Sequence, residues 1–225
     1  MTVANFVAQA KDLHPLSGSD ARLRDAVELR FNQLAALLLL LLLSPLLLIV
    51  SFLIWQRDGP PIFFAHYRVG RDGKLFPCLK FRSMLRESEK ALADHLAAHP
   101  AARAEWERDQ KLTNDPRITP IGNFLRKSSL DELPQLLNVL RGEMNLVGPR
   151  PVTVPELSRY GRVRWHYLSV RPGITGLWQV SGRNNTTYEE RVELDRRYVA
   201  QRSLFGDVGI LFKTVRVVLL KEGAR

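Results

Sequence analysis

Cysteine is almost absent from this chain: Cys78 is the only one in 225 residues. A disulfide framework is therefore excluded, as is a structural zinc site built on thiolates, and nothing calls for an oxidising compartment. Two nucleotide-binding signatures are missing as well. Without a G-x-x-x-x-G-K-[ST] loop or a G-x-G-x-x-G fingerprint, neither a P-loop nor a Rossmann site is supported. Internal repeats and disordered linkers are not found. His95 and His99 lie four apart in HLAAH, a spacing that can bind metal, but the glutamate of the zinc-protease pattern is missing and they read as solvated histidines. Acidic residues are the minority charge, 23 Asp and Glu against 33 Lys and Arg, for a formal charge of +10. That excess implies an anionic partner without choosing among nucleic acid, acidic lipid and phosphorylated substrates.

What the chain does have is one long apolar run, Leu34 to Trp55, in which seven consecutive leucines precede Ser44-Pro45. At ~1.5 Å per residue, about 22 residues make a helix roughly 33 Å long, enough to cross a hydrocarbon core. Pro45 complicates a plain span. It donates no N–H and its ring presses on the Leu41 carbonyl, for which the Ser44 hydroxyl is a candidate partner. The flanking charges do not orient the helix: Arg22, Arg24 and Arg30 stand before it, and Arg57, Arg68, Arg71 and Lys74 after it. Such balance suits two flanks on one side of the membrane, and also a weakly biased span. The mixed-charge residues preceding the run, and the length of the run itself, disfavour a cleaved signal peptide.

Downstream of Asp58-Gly59 and Pro60-Pro61, IFFAHYRVGRDGKLFPCLKFRSM reads as two short strands around an Arg71-Asp72-Gly73 turn. From Ser83 to about Lys111 the chain is an Ala- and Glu-rich helical excursion interrupted at Pro100. Thr119-Pro120 predicts an N-cap and first helical position for a helix through Arg126, and a second helix is expected from near Asp131 to Leu140, stopped by Gly142. The segment LSVRPGITGLWQVSGRN reads as loop. The tail from Asp207 to Leu220 is helical, with Val208, Leu211, Phe212, Val215, Val218 and Leu219 on one apolar face that is expected to complete the core, a membrane interface being the alternative.

Chemistry concentrates at Asp131-Glu132 in KSSLDELPQLLNVL. One reading is structural: Ser129 and Glu132 fit a capping box, or Asp131 is itself the N-cap ahead of Pro134. The other is catalytic. A carboxylate beside Arg126 and Lys127 can attack phosphorus and form an acyl phosphate, provided a divalent cation offsets the repulsion between anions. Lys80 and Arg82, Arg117, Arg150, Arg171 and Arg183 each sit beside a turn-forming or aromatic residue and are consistent with a diphosphate site.

Five blocks occur in order: the apolar run with Ser44-Pro45, KFRSM, TPIGNFLRKSSLDELPQLLNVLRGEMNLVGPRP, VRPGITGLWQVSGR, and ELDRRYV followed by Asp207. In this order, from about residue 30 to residue 220, they resemble the bacterial sugar transferases that make polyprenyl-diphosphate sugars, the monotopic phosphoglycosyl transferases. The resemblance implies a mainly α fold with a small β-hairpin. A re-entrant helix broken at Ser44-Pro45 (residues 34–55) would follow an N-terminal cytoplasmic or interfacial segment (1–33) and precede a compact cytoplasmic catalytic domain (56–225). It implies Asp131 as nucleophile on the sugar-bearing phosphate of a UDP-sugar and Glu132 as its supporting acid, both near Mg²⁺. Lys80 and Arg126 would bind phosphate, and Pro149-Arg150-Pro151 the uridine end. The implied partners are a UDP-sugar, undecaprenyl phosphate and membrane lipid, not nucleic acid, at the cytoplasmic face of a bacterial inner membrane. The product would initiate an exopolysaccharide or another surface glycan. Two departures stand out. Arg30 is alone where relatives carry a basic pair, with Asn32 at the expected acid, and GEMN replaces GDMS. Glucose and galactose are both plausible donor sugars, and the oligomeric state, a homo-oligomer included, is open. A non-catalytic basic membrane module, or a transferase for another nucleotide-linked donor, are the competing readings.

Overall fold

The computed structural model describes residues 19–109, 111–182 and 186–220. Arg183, residues 1–18 and the side chains of Arg22 and Leu219 lie outside what it describes. The apolar run forms part of α1, Ser19–Asp58, a continuous helix with Pro45 inside it. The Ser44 hydroxyl donates to the Leu41 carbonyl at 2.8 Å, so the expected partner for the group under the proline ring is in place. Among the described residues, this is the one helix long and apolar enough to cross a membrane.

α1 buries a stripe and exposes the rest. Asn32, Ala36, Val50 and Ile54 are buried, and Leu39, Leu40, Leu43, Leu46 and Leu47 are partly covered between them. The spacing follows a 3.6-residue period, so one face lies along the domain from end to end. Leu34, Leu38, Leu41, Leu42, Leu48, Ile49 and Phe52 point away from it. Both ends are bonded to the same domain. Near the start, the Asn32 Oδ1 accepts from the Leu146 N–H at 2.8 Å and Gln33 donates to the Leu140 carbonyl at 2.8 Å. At the far end, Thr119 donates to Asp58 at 2.8 Å, and Arg82 donates to the Asp58 and Gly59 carbonyls at 2.8 and 2.6 Å. Asn32 thus still supplies an anchor where an acid was expected, because an amide oxygen accepts as a carboxylate does.

The hairpin β1 (Phe63–Val69) and β2 (Leu75–Phe81) is antiparallel around the Arg71–Gly73 turn, as expected. The excursion forms α2 (Ser88–Ala98) and α3 (Pro100–Asp109), parted at Pro100. On α2 the His95 and His99 rings stack at 4.4 Å and the His99 Nδ1 lies 3.0 Å from the His95 carbonyl. Thr119 caps α4 (Pro120–Ser128), accepting from the Gly122 N–H at 3.0 Å. Then come α5 (Gln135–Leu140), with Gly142 at φ 75° just beyond it, and β3 (Asn145–Val147). The short helices α6 (Val154–Ser158) and α7 (Arg164–Leu168) follow. β4 (Gly173–Thr175) arises inside the segment expected to be loop and pairs in parallel with β3. Periodicity cannot reveal three-residue strands that pair only through tertiary contact.

α8 (Tyr188–Gln201) and α9 (Leu204–Leu220) close the chain. The expectation that the α9 face completes the core is corrected. Among its described side chains only Ile210 and Val217 are buried, whereas Val208, Leu211, Phe212 and Val215 face outward with Phe205, which is 92 % exposed. α9 packs on β3 and β4, which leaves these outward apolar side chains uncovered.

Candidate active site

The site is assembled from β2, the turn before α5 and the loop after β3. Along β2 the side chains alternate, and Phe76 and Cys78 are buried in the core. Lys80 lies on that same face, two residues further along, where the core gives way to a cleft. The strand is fixed to α5 by Asn138, fully buried, which accepts from the Leu79 N–H at 3.0 Å and donates to the Pro77 carbonyl at 2.8 Å.

The expected capping arrangement at the dyad does not form. Ser129 instead closes α4 in the left-handed conformation (φ 56°), its N–H shared by the Leu125 and Arg126 carbonyls. Leu130–Glu132 is a 3₁₀ turn with no side-chain cap, and α5 starts only after Pro134. A helix begun at Asp131 would set the Pro134 ring against the Leu130 carbonyl, which a 3₁₀ turn avoids. The Asp131 carboxylate is thus not spent on capping. It faces a cleft of about 950 Å³ lined also by Glu132, Lys80, Arg126 and Arg150.

Lys80 Nζ donates to Glu132 Oε1 at 2.7 Å and stands 3.9 Å from Asp131 Oδ2. Arg150 Nη1 is 3.7 Å from Glu132 Oε1. Arg126 is positioned by donating to the Ser83 hydroxyl at 2.9 Å. Asp131 is 8 % exposed; burial pushes its carboxyl above the usual range, opposed by Lys80, Arg126 and Arg150 and reinforced by Glu132. Burial also lowers the Arg126 guanidinium, against the pull of Asp131 and Asp115.

Of the Pro149-Arg150-Pro151 motif, only Arg150 reaches the cleft; Pro149 is fully buried and its carbonyl accepts from the Gly173 N–H at 2.9 Å. Among the other basic candidates, Arg82 lines the cleft while binding the end of α1. Arg117 pairs with Asp115 at 2.6 Å and Arg171 with Asp25 at 2.9 Å, so these two are structural. Ser44 and Pro45 belong to α1, away from the cleft. Trp178 and His66 line the cleft and were not singled out from sequence. A tryptophan inside a segment rich in Gly and Pro was the available signal for the first.

Among the described residues no group of three or more His, Cys, Asp or Glu gathers to hold a metal. Asp131 and Glu132 are adjacent carboxylates lining the cleft, and Mg²⁺ commonly takes one or two carboxylates beside waters and substrate phosphate.

The cleft thus sets one buried carboxylate among the cations Lys80, Arg126 and Arg150, an arrangement able to bind an anionic group. A family model described as Bacterial sugar transferase matches residues 23–221. The chain belongs to the bacterial sugar transferase family. Among family relatives, the undecaprenyl-phosphate galactose phosphotransferase of Salmonella typhimurium is 54% identical over 194 residues, covering 86% of this chain and 40% of that protein. The exopolysaccharide production protein ExoY of Sinorhizobium fredii is 46% identical over 224 residues, 99% of this chain and 96% of its own. The UDP-glucose:undecaprenyl-phosphate glucose-1-phosphate transferase of Escherichia coli is 38% identical over 210 residues, 89% of this chain and 41% of that protein. The chain therefore spans about two fifths of some curated relatives and nearly the whole of ExoY.

Proposed function

We propose that this chain transfers a sugar-1-phosphate from a UDP-sugar to undecaprenyl phosphate, releasing UMP and forming the lipid diphosphate sugar that initiates exopolysaccharide synthesis. The observation that carries the reading is the uncapped, buried Asp131 carboxylate facing a cleft lined by Lys80, Arg126 and Arg150. An Asp131 oxygen attacks the sugar-bearing phosphorus, a new P–O bond forms, and the bond to UMP breaks with its electron pair leaving on UMP. A phosphate oxygen of the lipid then attacks the same phosphorus, and the carboxylate leaves. In-line displacement brings the lipid phosphate in from the side that UMP vacated. Lys80 and Arg126 stabilise the charge on the transferring group, Arg150 meets the nucleotide, Lys80 and Arg150 also orient Glu132, and Asp131 with Glu132 would hold Mg²⁺, which neutralises diphosphate charge when bound.

In this reading α1 is re-entrant. From Asp25 to Asp58 a helix is roughly 50 Å long. A helix crossing the membrane would carry one end about 30 Å from a domain on the other side. Here both ends are bonded to one domain, which supports a helix that enters and leaves on the same side, with Pro45 inside an unbroken helix. The outward apolar side chains of α1 and α9 then meet lipid, and the cleft lies at the cytoplasmic surface of a bacterial inner membrane. UMP release by membranes bearing the chain, measured across UDP-sugars with undecaprenyl phosphate and Mg²⁺, tests the activity; turnover of none of them sinks it.

A further inference from the structure

The loop carrying Arg150 is gripped from behind by α8, through residues that the reaction above does not use. Trp178 lines the cleft, and two guanidinium groups approach its ring, Arg150 at 5.6 Å and Arg191 at 4.8 Å from the centroid. The ring is oriented by its own Nε1–H, which donates to the Thr186 hydroxyl at 2.7 Å. Arg191 is buried, 3.7 Å from Glu156, and its charge faces Asp195 one helical turn on. The Asp195 carboxylate accepts from the Tyr160 hydroxyl at 2.7 Å, and the main-chain N–H of Arg150 faces it. On the cleft side, the Arg150 guanidinium stands beyond hydrogen-bond length from Glu132, so charge and the ring face hold it.

We propose that Trp178 is a positioning residue that holds Arg150 over the Asp131–Glu132 pair, with Arg191 and Asp195 of α8 fixing the ring and the loop. The proposal rests on the reading of Arg150 as a contact to the nucleotide. An arginine side chain carries about 2 kcal/mol of rotamer entropy, and a ring that sets its plane before the anion arrives removes part of that loss from binding. Packing alone does not account for Arg191. A buried cation is costly, and its Nε and Nη2 are buried without hydrogen-bond partners; an apolar side chain would fill the space at less cost. Its charge faces Glu156 and Asp195 as well as the Trp178 ring, and an apolar residue would supply none of these.

The test is a double-mutant cycle read by UMP binding to the full chain in detergent, using calorimetry, with Arg150→Ala, Trp178→Leu and the double variant. Trp178→Leu and Arg150→Ala should each weaken UMP binding about tenfold, and the double variant should bind no more weakly than Arg150→Ala. Trp178→Phe, which keeps a ring face, should recover most of the loss. Wild-type affinity in Trp178→Leu, or losses that multiply to about a hundredfold in the double variant, overturns the proposal. Should Trp178→Leu fail to fold, Arg191→Met carries the same cycle with Arg150→Ala, with about a threefold effect expected, and additivity again counts against it. Unchanged UMP affinity in Arg150→Ala would instead overturn the assignment of this loop to the nucleotide, and the proposal with it.

Discussion

At the scale of single residues, the site depends on one carboxylate being left free. Asp131→Asn keeps the shape and removes the proposed nucleophile, so UMP release should fall on the order of a thousandfold or more, measured in a coupled assay. A second buried acid makes a pH-dependent prediction. Burial raises the Asp195 carboxyl from 3.8 to about 6, against the lowering effects of Tyr160, Arg191 and Arg150. A group raised on folding adds stability in its protonated form, fully present below about pH 4 and lost as pH rises through about 6. Asp195→Asn stays neutral throughout. Its melting temperature minus that of the wild type should therefore increase from pH 4 to 7; a flat difference would refute the raised carboxyl. The pair Asp131-Glu132 was legible from sequence, but its backbone setting was not. Ser129 and Glu132 match a capping box in spacing, and only the closure of α4 in left-handed geometry shows that the box never forms.

At the scale of elements, close contacts between segments distant in sequence place the cations around Asp131. α4 lies against the residues after β2 so tightly that a Cβ at Gly122 would stand 2.0 Å from the Ser83 carbonyl oxygen. Gly122→Ala should therefore cost about 3 kcal/mol, read by denaturant unfolding, because backbone must move to admit the methyl. Asn138→Ala leaves the Leu79 N–H and the Pro77 carbonyl without this partner, and should cost about 2 kcal/mol while loosening Lys80 relative to Asp131. The hairpin, the Thr119 cap and the break at Pro100 were readable because each is written in adjacent residues. The β3–β4 pair and the outward face of α9 were not, since each depends on what lies opposite.

At the scale of the whole molecule, the proposed reading requires the cleft and both ends of α1 to share one side of the membrane. Arg24→Cys and Arg57→Cys, at exposed positions near the two ends of α1, should both resist a membrane-impermeant maleimide in intact cells and both react after lysis. The native Cys78 is buried and gives little background. Labelling of either end from outside would mean that α1 spans. By itself the sequence determined the apolar run with its proline, the hairpin, the basic excess, the block order and the acidic pair, all properties of neighbouring residues. Tertiary structure decided which arginines serve the cleft, with Arg150 at it and Arg117 and Arg171 bound elsewhere, and that both ends of α1 meet one domain. It also decided that the Trp178 ring meets both Arg150 and Arg191 of α8. Charge alone cannot distinguish a cation held away from the cleft from one lining it; the place to which folding brings it does.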